Sequence, residues 1–234
     1  MKRIFLMLAL ALVSMVGWAQ SPVGKFSIIP KVGMTWAKVT NFDWAATVTE
    51  GTDYYKESLK GAKLKGGVTA GADVEYQVSD EWAASAGLFY SLQGMYVPDY
   101  IADNQNGTLT GVEDMHADLH YLNVPVMVSR YLFPGFAVKA GVQAGFLLAN
   151  RMKSETTTFE KQADGTLKAT ANDDVSDEWD NYQTVDVSIP VGISYEYERV
   201  IVDVRYNFGL TKVFDDNLFP SRNSVFHFTV GYRL

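Results

Sequence analysis

The segment Val185–Leu210, VDVSIPVGISYEYERVIVDVRYNFGL, alternates apolar and polar side chains almost without interruption. Alternation with a period of two predicts β-strands that have one apolar and one polar face. The alternation pauses only at Glu198-Arg199, which indicates a tight turn between two strands. The fold therefore depends on what the apolar face contacts, which is either the packed interior of a soluble protein or lipid.

The same alternation occurs in eight segments, and each predicts one strand. These segments are Phe26–Thr40, Leu64–Val78, Trp82–Val97, Leu119–Arg130, Phe136–Asn150, Thr184–Tyr197, Val200–Leu210 and Val225–Leu234. Short connections alternate with long ones, and the long loops are predicted near Asn41–Lys63, Pro98–Asp118, Arg151–Gln183 and Thr211–Ser224. All long loops would then leave from one end. Short periplasmic turns and long extracellular loops are typical of a bacterial outer-membrane barrel.

The polar face of these strands predicts which side is inside. Its glycines are Gly33, Gly67, Gly71, Gly87, Gly141, Gly145, Gly192, Gly209 and Gly231, and its charged residues are Lys31, Asp73, Glu75, Lys139, Asp186, Glu196, Asp203, Arg205 and Arg233. An eight-stranded barrel has interior space only for side chains, so the face rich in small residues fits inside and the bulky apolar face must contact lipid. Because a buried charge without a partner costs several kcal/mol, we expect the nine charged residues to form a polar network in the lumen with Gln93 and Gln143.

Aromatic residues are predicted to form girdles at the two lipid–water interfaces. Tyr76, Trp82, Phe136, Tyr195 and Tyr232 lie near the short turns, and Trp36, Tyr96, Phe146, Phe208 and Phe226 lie near the long loops. Pro30, Pro125 and Pro190 fall within strands, where each removes a ladder donor, and we expect β-bulges at these positions.

The N-terminus, MKRIFLMLALALVSMVGWAQ, has the charge, apolar run and small-residue cleavage pattern of a secretory signal peptide at residues 1–19. Its apolar run is shorter than the roughly 20 residues of a membrane-spanning helix. Residues 20–234 would then form one barrel domain.

The chain has no Cys, which excludes disulfides and thiolate chemistry. A net charge of -7 without a basic cluster argues against nucleic acid as a partner.

Five segments resemble the outer-membrane β-barrel proteins of the Bacteroidetes that are called "porin family" or PorT-like. They are YLNVPVMV (Tyr121–Val128), KAGVQAGFLL (Lys139–Leu148), VDVSIPVGISYEY (Val185–Tyr197), YNFGL (Tyr206–Leu210) and the ending HFTVGYRL. The resemblance implies an outer-membrane location and an eight-stranded barrel, without any single biochemical activity. The ending also resembles the C-terminal signal of the barrel-assembly machinery, with Leu234 in place of the usual Phe.

We therefore predict an all-β, eight-stranded antiparallel up-and-down transmembrane β-barrel in the cell outer membrane. Its predicted role is structural or surface-interacting, with an accessory part in envelope assembly or secretion. The expected partners are outer-membrane lipid, the barrel-assembly machinery and an unknown extracellular ligand or protein at the long loops. The alternatives are a narrow channel for small solutes, a lipid-modifying enzyme and a soluble lipocalin-like carrier.

No catalytic residue and no cofactor is predicted. His116, His120 and His227 show no triad spacing with a nucleophile, although a lipid-modifying enzyme would need a nucleophile within reach of a base. The segment Asn172–Asp180, NDDVSDEWD, carries carboxylates of the kind that Ca²⁺ prefers, without the spacing of an EF-hand loop. A metal site and a solvated acidic surface both remain open for it.

Overall fold

A computed structural model describes residues 21–41, 62–97, 99–103, 108–162, 166–178, 182–214 and 221–234. The predicted signal peptide and most of the first long loop lie outside these residues. Among the described residues, no helix is long and apolar enough to cross a membrane.

Ten antiparallel strands make up the described fold. They are β1 (Phe26–Thr40), β2 (Lys65–Gln77), β3 (Trp82–Tyr96), β4 (Tyr100–Asp103), β5 (Thr108–Phe133), β6 (Phe136–Lys161), β7 (Leu167–Asp177), β8 (Val185–Tyr197), β9 (Val200–Lys212) and β10 (Arg222–Tyr232). Eight of them form a ring in the order β5-β3-β2-β1-β10-β9-β8-β6, which closes because β5 also pairs with β6. The predicted eight-stranded up-and-down barrel is confirmed.

The orientation of the strands also agrees with the prediction. On β9, Asp203 and Arg205 are 2% and 8% exposed, whereas Val202, next to Asp203, is 37% exposed. Val142 on β6 is 58% exposed and Phe228 on β10 is 39% exposed. The outer surface is thus an apolar band. Such a band requires lipid around it, because water would leave this apolar area unburied.

The strand prolines do not produce the bulges that the sequence led us to expect. Pro30 stays in register with Ala72, Pro125 with Gln143, and Pro190 with Asn207, and no register shift occurs at any of the three. On their other side, Pro125 and Pro190 each leave a gap in the pairing, and the register continues across it. The pairing of β1 with β10 begins at Lys31, directly after Pro30. A missing ladder bond is therefore accommodated without an inserted residue.

Two predicted loops are largely β-structure. β5 and β6 each have 26 residues, so both continue beyond the apolar band into segments that were predicted as loops at Pro98–Asp118 and Arg151–Gln183. β4 pairs with the far end of β5, and β7 pairs with the far end of β6. The result is a four-stranded extracellular sheet, β4-β5-β6-β7, which we call the extracellular sheet.

Glycine permits the close contacts that the narrow interior requires. A Cβ on Gly87 would collide with Asp73 Oδ1 and with the ring of Phe89. A Cβ on Gly231 would lie 2.6 Å from Lys31 Cγ. These two glycines therefore lie where the charged side chains of Asp73 and Lys31 enter the lumen.

Candidate functional site in the barrel interior and at its extracellular end

Three charged residues form a cluster at the periplasmic end of the lumen, which we call the periplasmic trio. Arg233 donates hydrogen bonds to Glu196 Oε1 from Nε and to Glu196 Oε2 from Nη2, both at 2.7 Å. Its Nη2 also lies 2.8 Å from Glu75 Oε1, which accepts a further 3.2 Å hydrogen bond from Tyr131 Oη. All four side chains are buried, so the trio closes this end of the interior with charge-assisted bonds.

Five charged residues form a second cluster at mid-height, the central cluster. Lys31 Nζ lies 2.8 Å from Asp73 Oδ2 and 3.3 Å from Asp203 Oδ2. Lys139 Nζ lies 3.0 Å from the same Asp203 oxygen. Arg205 Nη2 lies 3.5 Å from Asp203 Oδ1 and 3.8 Å from Asp73 Oδ2. Asp203 therefore contacts three cations.

The two clusters balance one another in charge. The central cluster has one more cation than carboxylate, and the periplasmic trio has one more carboxylate than cation. Together they are neutral when all eight groups are ionised. A neutral total limits the penalty of holding charges in a low-dielectric interior.

A layer of neutral polar side chains lies above the ions. Asn123 Nδ2 and Gln93 Nε2 each donate a 2.7 Å hydrogen bond to Ser91 Oγ. Gln93 Oε1 accepts a 2.8 Å bond from Asn223, and Gln143 donates to Asn123 Oδ1 at 3.2 Å. The two glutamines therefore form bonds within this layer, whereas the sequence led us to expect them among the ions.

Asp186 is the one member of the predicted network that the structure places apart from the two clusters. It is 7% exposed, and its Oδ1 accepts a 2.9 Å hydrogen bond from Thr211. No salt bridge to Asp186 occurs within the described parts of the chain. The sequence could place Asp186 on the inner face, but it could not give its partner.

The extracellular end of the lumen is filled by apolar side chains, which we call the apolar plug. They are Val39, Met95, Val97, Val112, Met115, Ala117, Leu119, Tyr121, Met152, Tyr182, Val213 and Phe214. Met95, Ala117 and Leu119 are fully buried. The rings of Tyr182 and Phe214 pack 4.9 Å apart, and the two residues form an isolated β-bridge that joins the segments before β8 and after β9. The interior is therefore charged below and apolar above.

Sequence reasoning missed this plug and the sheet beside it. The signal was present, because Met115 and Ala117 alternate with His116 and Asp118 inside the segment that was predicted as a loop. Their alternation continues that of the strand that follows, and this continuity predicts a longer strand.

Outer-membrane barrel proteins share this combination of a closed antiparallel ring, an apolar outer band and a filled polar interior. The family described as outer membrane protein beta-barrel domain matches residues 18–215. The chain belongs to this family. The family places this outer-membrane barrel in the cell outer membrane.

Solved structures similar to this outer-membrane barrel include the following three bacterial proteins. Ail, the attachment invasion locus protein of Yersinia pestis, is 10% identical with a TM-score of 0.43, over 91% of this chain and 100% of that one. OprG of Pseudomonas aeruginosa is 12% identical with a TM-score of 0.37, over 91% and 97%. Neisserial surface protein A is 9% identical with a TM-score of 0.39, over 90% and 98%. These values are too low to carry an argument about function. No curated protein sequence matches the chain.

The three histidines of the outer-membrane barrel lie in different surroundings. His120 Nδ1 and Tyr90 Oη are 2.7 Å apart, and His116 Nδ1 lies 2.8 Å from the carbonyl oxygen of Asp114. His227 is buried in the lumen, and its Nε2 lies 3.4 Å from Asn207 Nδ2. Within these contacts, none of the three histidines meets a Ser or Thr hydroxyl, and the one hydroxyl that a histidine meets is the phenol of Tyr90.

The acidic segment forms part of β7. Asn172–Asp177 pairs with β6 and is exposed throughout, whereas residues 179–180 lie outside the described residues. No group of three or more His, Asp or Glu side chains that could hold a metal ion occurs within the described ranges. Calcium binding by this segment stays a prediction that the described geometry does not support.

Proposed function

We propose that this protein is a closed, non-conducting outer-membrane barrel that presents a rigid extracellular β-sheet to molecules at the cell surface. The observation that carries the proposal is the division of the molecule into a filled lumen and a protruding sheet. A conducting barrel needs a continuous polar path, and a barrel of eight strands has little room for one. A surface-interaction protein needs a rigid scaffold and an exposed, shaped surface.

Three levels of side chains support a closed lumen. The periplasmic trio and the central cluster cross the interior with bonds of 2.7–3.3 Å between oppositely charged atoms. The apolar plug lies above them, and its side chains are at most 8% exposed. Hydrated ions would have to displace both paired charges and packed apolar groups, and each displacement is unfavourable.

The extracellular sheet supports the interaction role. Residues 108–118 of β5 extend about 33 Å along the strand beyond the apolar band, at about 3.3 Å per residue. The exposed strand β7 forms one edge of the sheet, and it carries Asp173, Asp174 and Asp177. An edge strand offers unpaired backbone groups, and its charges limit unspecific pairing. The surface therefore suits a specific partner.

Two measurements test the proposal, one on the purified protein and one on cells. In planar bilayers, we expect no steady single-channel steps from the wild-type barrel. On bacterial cells, we expect a variant in which residues 104–116 and 154–181 are replaced by short Gly-Ser turns to assemble in the outer membrane and to lose its captured surface partners.

The matched control replaces only residues 163–165, which lie between β6 and β7 in the sequence, with Gly-Ser and retains β5, β6 and β7. Retention of all captured partners by the full replacement would contradict the interaction role. Steady channel openings from the wild-type protein would contradict the closed lumen and favour a narrow channel for small solutes.

We further propose that the protein is of the PorT-like type found in Bacteroidetes and that its surface role is accessory to envelope assembly or secretion. The five sequence segments described above support this origin. We propose no catalytic activity, since the described contacts of the three histidines include no Ser or Thr hydroxyl. Loss of lipid hydrolysis by purified protein on His227→Ala would overturn that statement.

A further inference from the structure

The buried charges inside the barrel do not sum to zero. With His227 neutral, the buried charged side chains of the described residues are the cations Lys31, Lys139, Arg205 and Arg233 and the carboxylates Asp73, Glu75, Asp186, Glu196 and Asp203. The periplasmic trio and the central cluster are neutral together, so the excess negative charge belongs to Asp186. A buried carboxylate without a cation is strongly unfavourable, and a compensating positive charge is therefore expected beside Asp186.

Three oxygen atoms on the strands next to Asp186 have no hydrogen-bond partner among the described residues. They are Ser188 Oγ, Asn207 Oδ1 and Asn223 Oδ1, on side chains that are at most 3% exposed. In both asparagines the amide nitrogen is already engaged, 3.4 Å from His227 Nε2 and 2.8 Å from Gln93 Oε1 respectively. Buried polar atoms nearly always have a partner. A species that the protein itself does not provide is therefore expected among these oxygens.

Gly209 on β9 lies at the centre of this group. Ser188 on β8 is directly opposite Gly209. The backbone of Asn223 on β10 lies on the other side, since a Cβ on Gly209 would be 2.4 Å from the Asn223 carbonyl oxygen. Asn207 precedes Gly209 by two residues and Asp186 precedes Ser188 by two, which is about 7 Å along each strand on the same inward face. Because glycine has no side chain, oxygens from three neighbouring strands can approach one another over it.

We propose that Asp186, Ser188, Asn207 and Asn223 bind one alkali-metal cation in the lumen. Carboxylate, amide and hydroxyl oxygens are hard ligands, which suit hard cations. One monovalent cation brings the sum of the buried charges to zero, whereas Ca²⁺ or Mg²⁺ would leave an excess positive charge. A water molecule would bond to the free oxygens and would leave the charge of Asp186 uncompensated.

The site goes beyond the proposed surface role, because it lies inside the barrel and apart from the extracellular sheet. It is also consistent with a closed lumen. The ion pairs of the central cluster and the periplasmic trio lie on one side of the polar layer and the apolar plug lies on the other, so the cation is bound and not conducted. Sodium and potassium share the required chemistry, and the experiment distinguishes them.

The test is equilibrium urea unfolding of the full mature barrel in detergent micelles, followed by heat-modifiable gel mobility. NaCl, KCl and choline chloride are compared at equal ionic strength, and unfolding gives the ion access to the site. An ion that binds only the folded state stabilises that state by mass action, so the ratio of folded to unfolded barrel should be at least about tenfold higher in NaCl or KCl than in choline chloride. The salt with the larger effect identifies the cation.

Two variants separate the site from a general effect of salt. Asp186→Asn removes the charge and keeps an oxygen, and it should reduce the difference between the salts to less than about twofold. Ser188→Ala removes one ligand oxygen, and it should raise the salt concentration at half of the stabilisation by at least about threefold. The matched control is Asp118→Asn, which removes a carboxylate near the extracellular sheet and should retain the full response.

Equal stability of the wild type in all three salts would overturn the site, and this comparison does not depend on the folding of any variant. An unchanged response in Asp186→Asn would overturn the assignment to these residues. Stabilisation of the wild type by acid, without a response to Na⁺ or K⁺, would show that a proton on Asp186 or His227 balances the charge, and would equally overturn the proposal.

Discussion

Arg233 at the end of β10 and Glu196 on β8 are joined across the lumen by two parallel hydrogen bonds of 2.7 Å. β9 lies between these two strands in the ring, so the pair spans the interior behind it. The same guanidinium reaches Glu75 on β2 at 2.8 Å. One side chain thus connects three strands that are not neighbours.

Replacing Arg233 with Met should lower the free energy of unfolding by about 3–5 kcal/mol, because Glu75 and Glu196 would remain buried without a cation. Urea unfolding in detergent, followed by gel mobility, measures this loss. Lys25→Met is the matched control and should change stability by less than about 0.5 kcal/mol, since Lys25 is exposed. A loss below about 1 kcal/mol for Arg233→Met would indicate that the carboxylates find another partner.

Two interior aspartates should respond very differently to neutralisation. Asp203→Asn should destabilise the barrel strongly, by about 3 kcal/mol or more, because Lys31, Lys139 and Arg205 would lose the carboxylate that they share. Asp186→Asn should have a small effect, since its partner is the Thr211 hydroxyl, which also bonds to an amide oxygen. Thermal unfolding of the two variants under the same conditions checks the order, and a reversed order would contradict the assigned contacts.

Gly87→Ala should destabilise the barrel by about 1–3 kcal/mol, because the new methyl group collides with Asp73 and with the ring of Phe89. Gly66→Ala on the same hairpin is the control. Its Cβ would meet no atom within 4 Å, so its stability should be unchanged or slightly higher. Equal losses of stability for the two variants would mean that glycine is required by the strand conformation and not by the limited space in the lumen.

A charged residue on the outward face should lower the free energy of unfolding only where that face contacts lipid. Val142→Arg should lower stability in lipid bilayers by about 2–4 kcal/mol, as expected for a cation near the bilayer midplane. Val175→Arg is the matched control, since Val175 is also exposed, at 38%, but lies on β7 of the extracellular sheet. Urea titration in phospholipid vesicles compares the two, and a similar loss at Val175 would place the sheet against the membrane.

Low pH should destabilise the extracellular sheet at the end where it joins the barrel. Asp118 lies 2.6 Å from Lys65 and 3.4 Å from Lys153. Burial alone would raise the pKa of the Asp118 carboxyl, but its bonds to Lys65 and Lys153 outweigh burial and hold the pKa below its usual value of 3.8. The folded state therefore gains stability above pH 3.8, and this gain is lost as the pH falls through the lowered pKa.

Hydrogen exchange of the upper parts of β5 and β6, corrected for intrinsic rates, should show this loss below about pH 4. The effect should be at most about 1 kcal/mol, since the pair is partly exposed. In Asp118→Asn, protection should be lower at neutral pH and should change less with acid. Identical acid profiles for wild type and variant would contradict a contribution from Asp118.

Much of the barrel could be predicted because alternation is a local property of the sequence. Residues such as Asp203 and Val202 are assigned to opposite faces by their positions alone, and nine glycines on one face indicate the narrow side. The bulges expected at Pro30, Pro125 and Pro190 were wrong, because whether a missing donor disturbs the ladder depends on the neighbouring strand.

The sequence by itself determined the number of barrel strands, the side that faces lipid and the residues that enter the lumen, because each follows from period-two patterns and from the size of side chains. Only the tertiary structure decided which charges meet, as with Arg233 and Glu196. It also decided that the far ends of β5 and β6 form part of the extracellular sheet and contribute side chains to the apolar plug. Ring closure brings together residues that are far apart in the chain, and no local pattern records their register across the barrel.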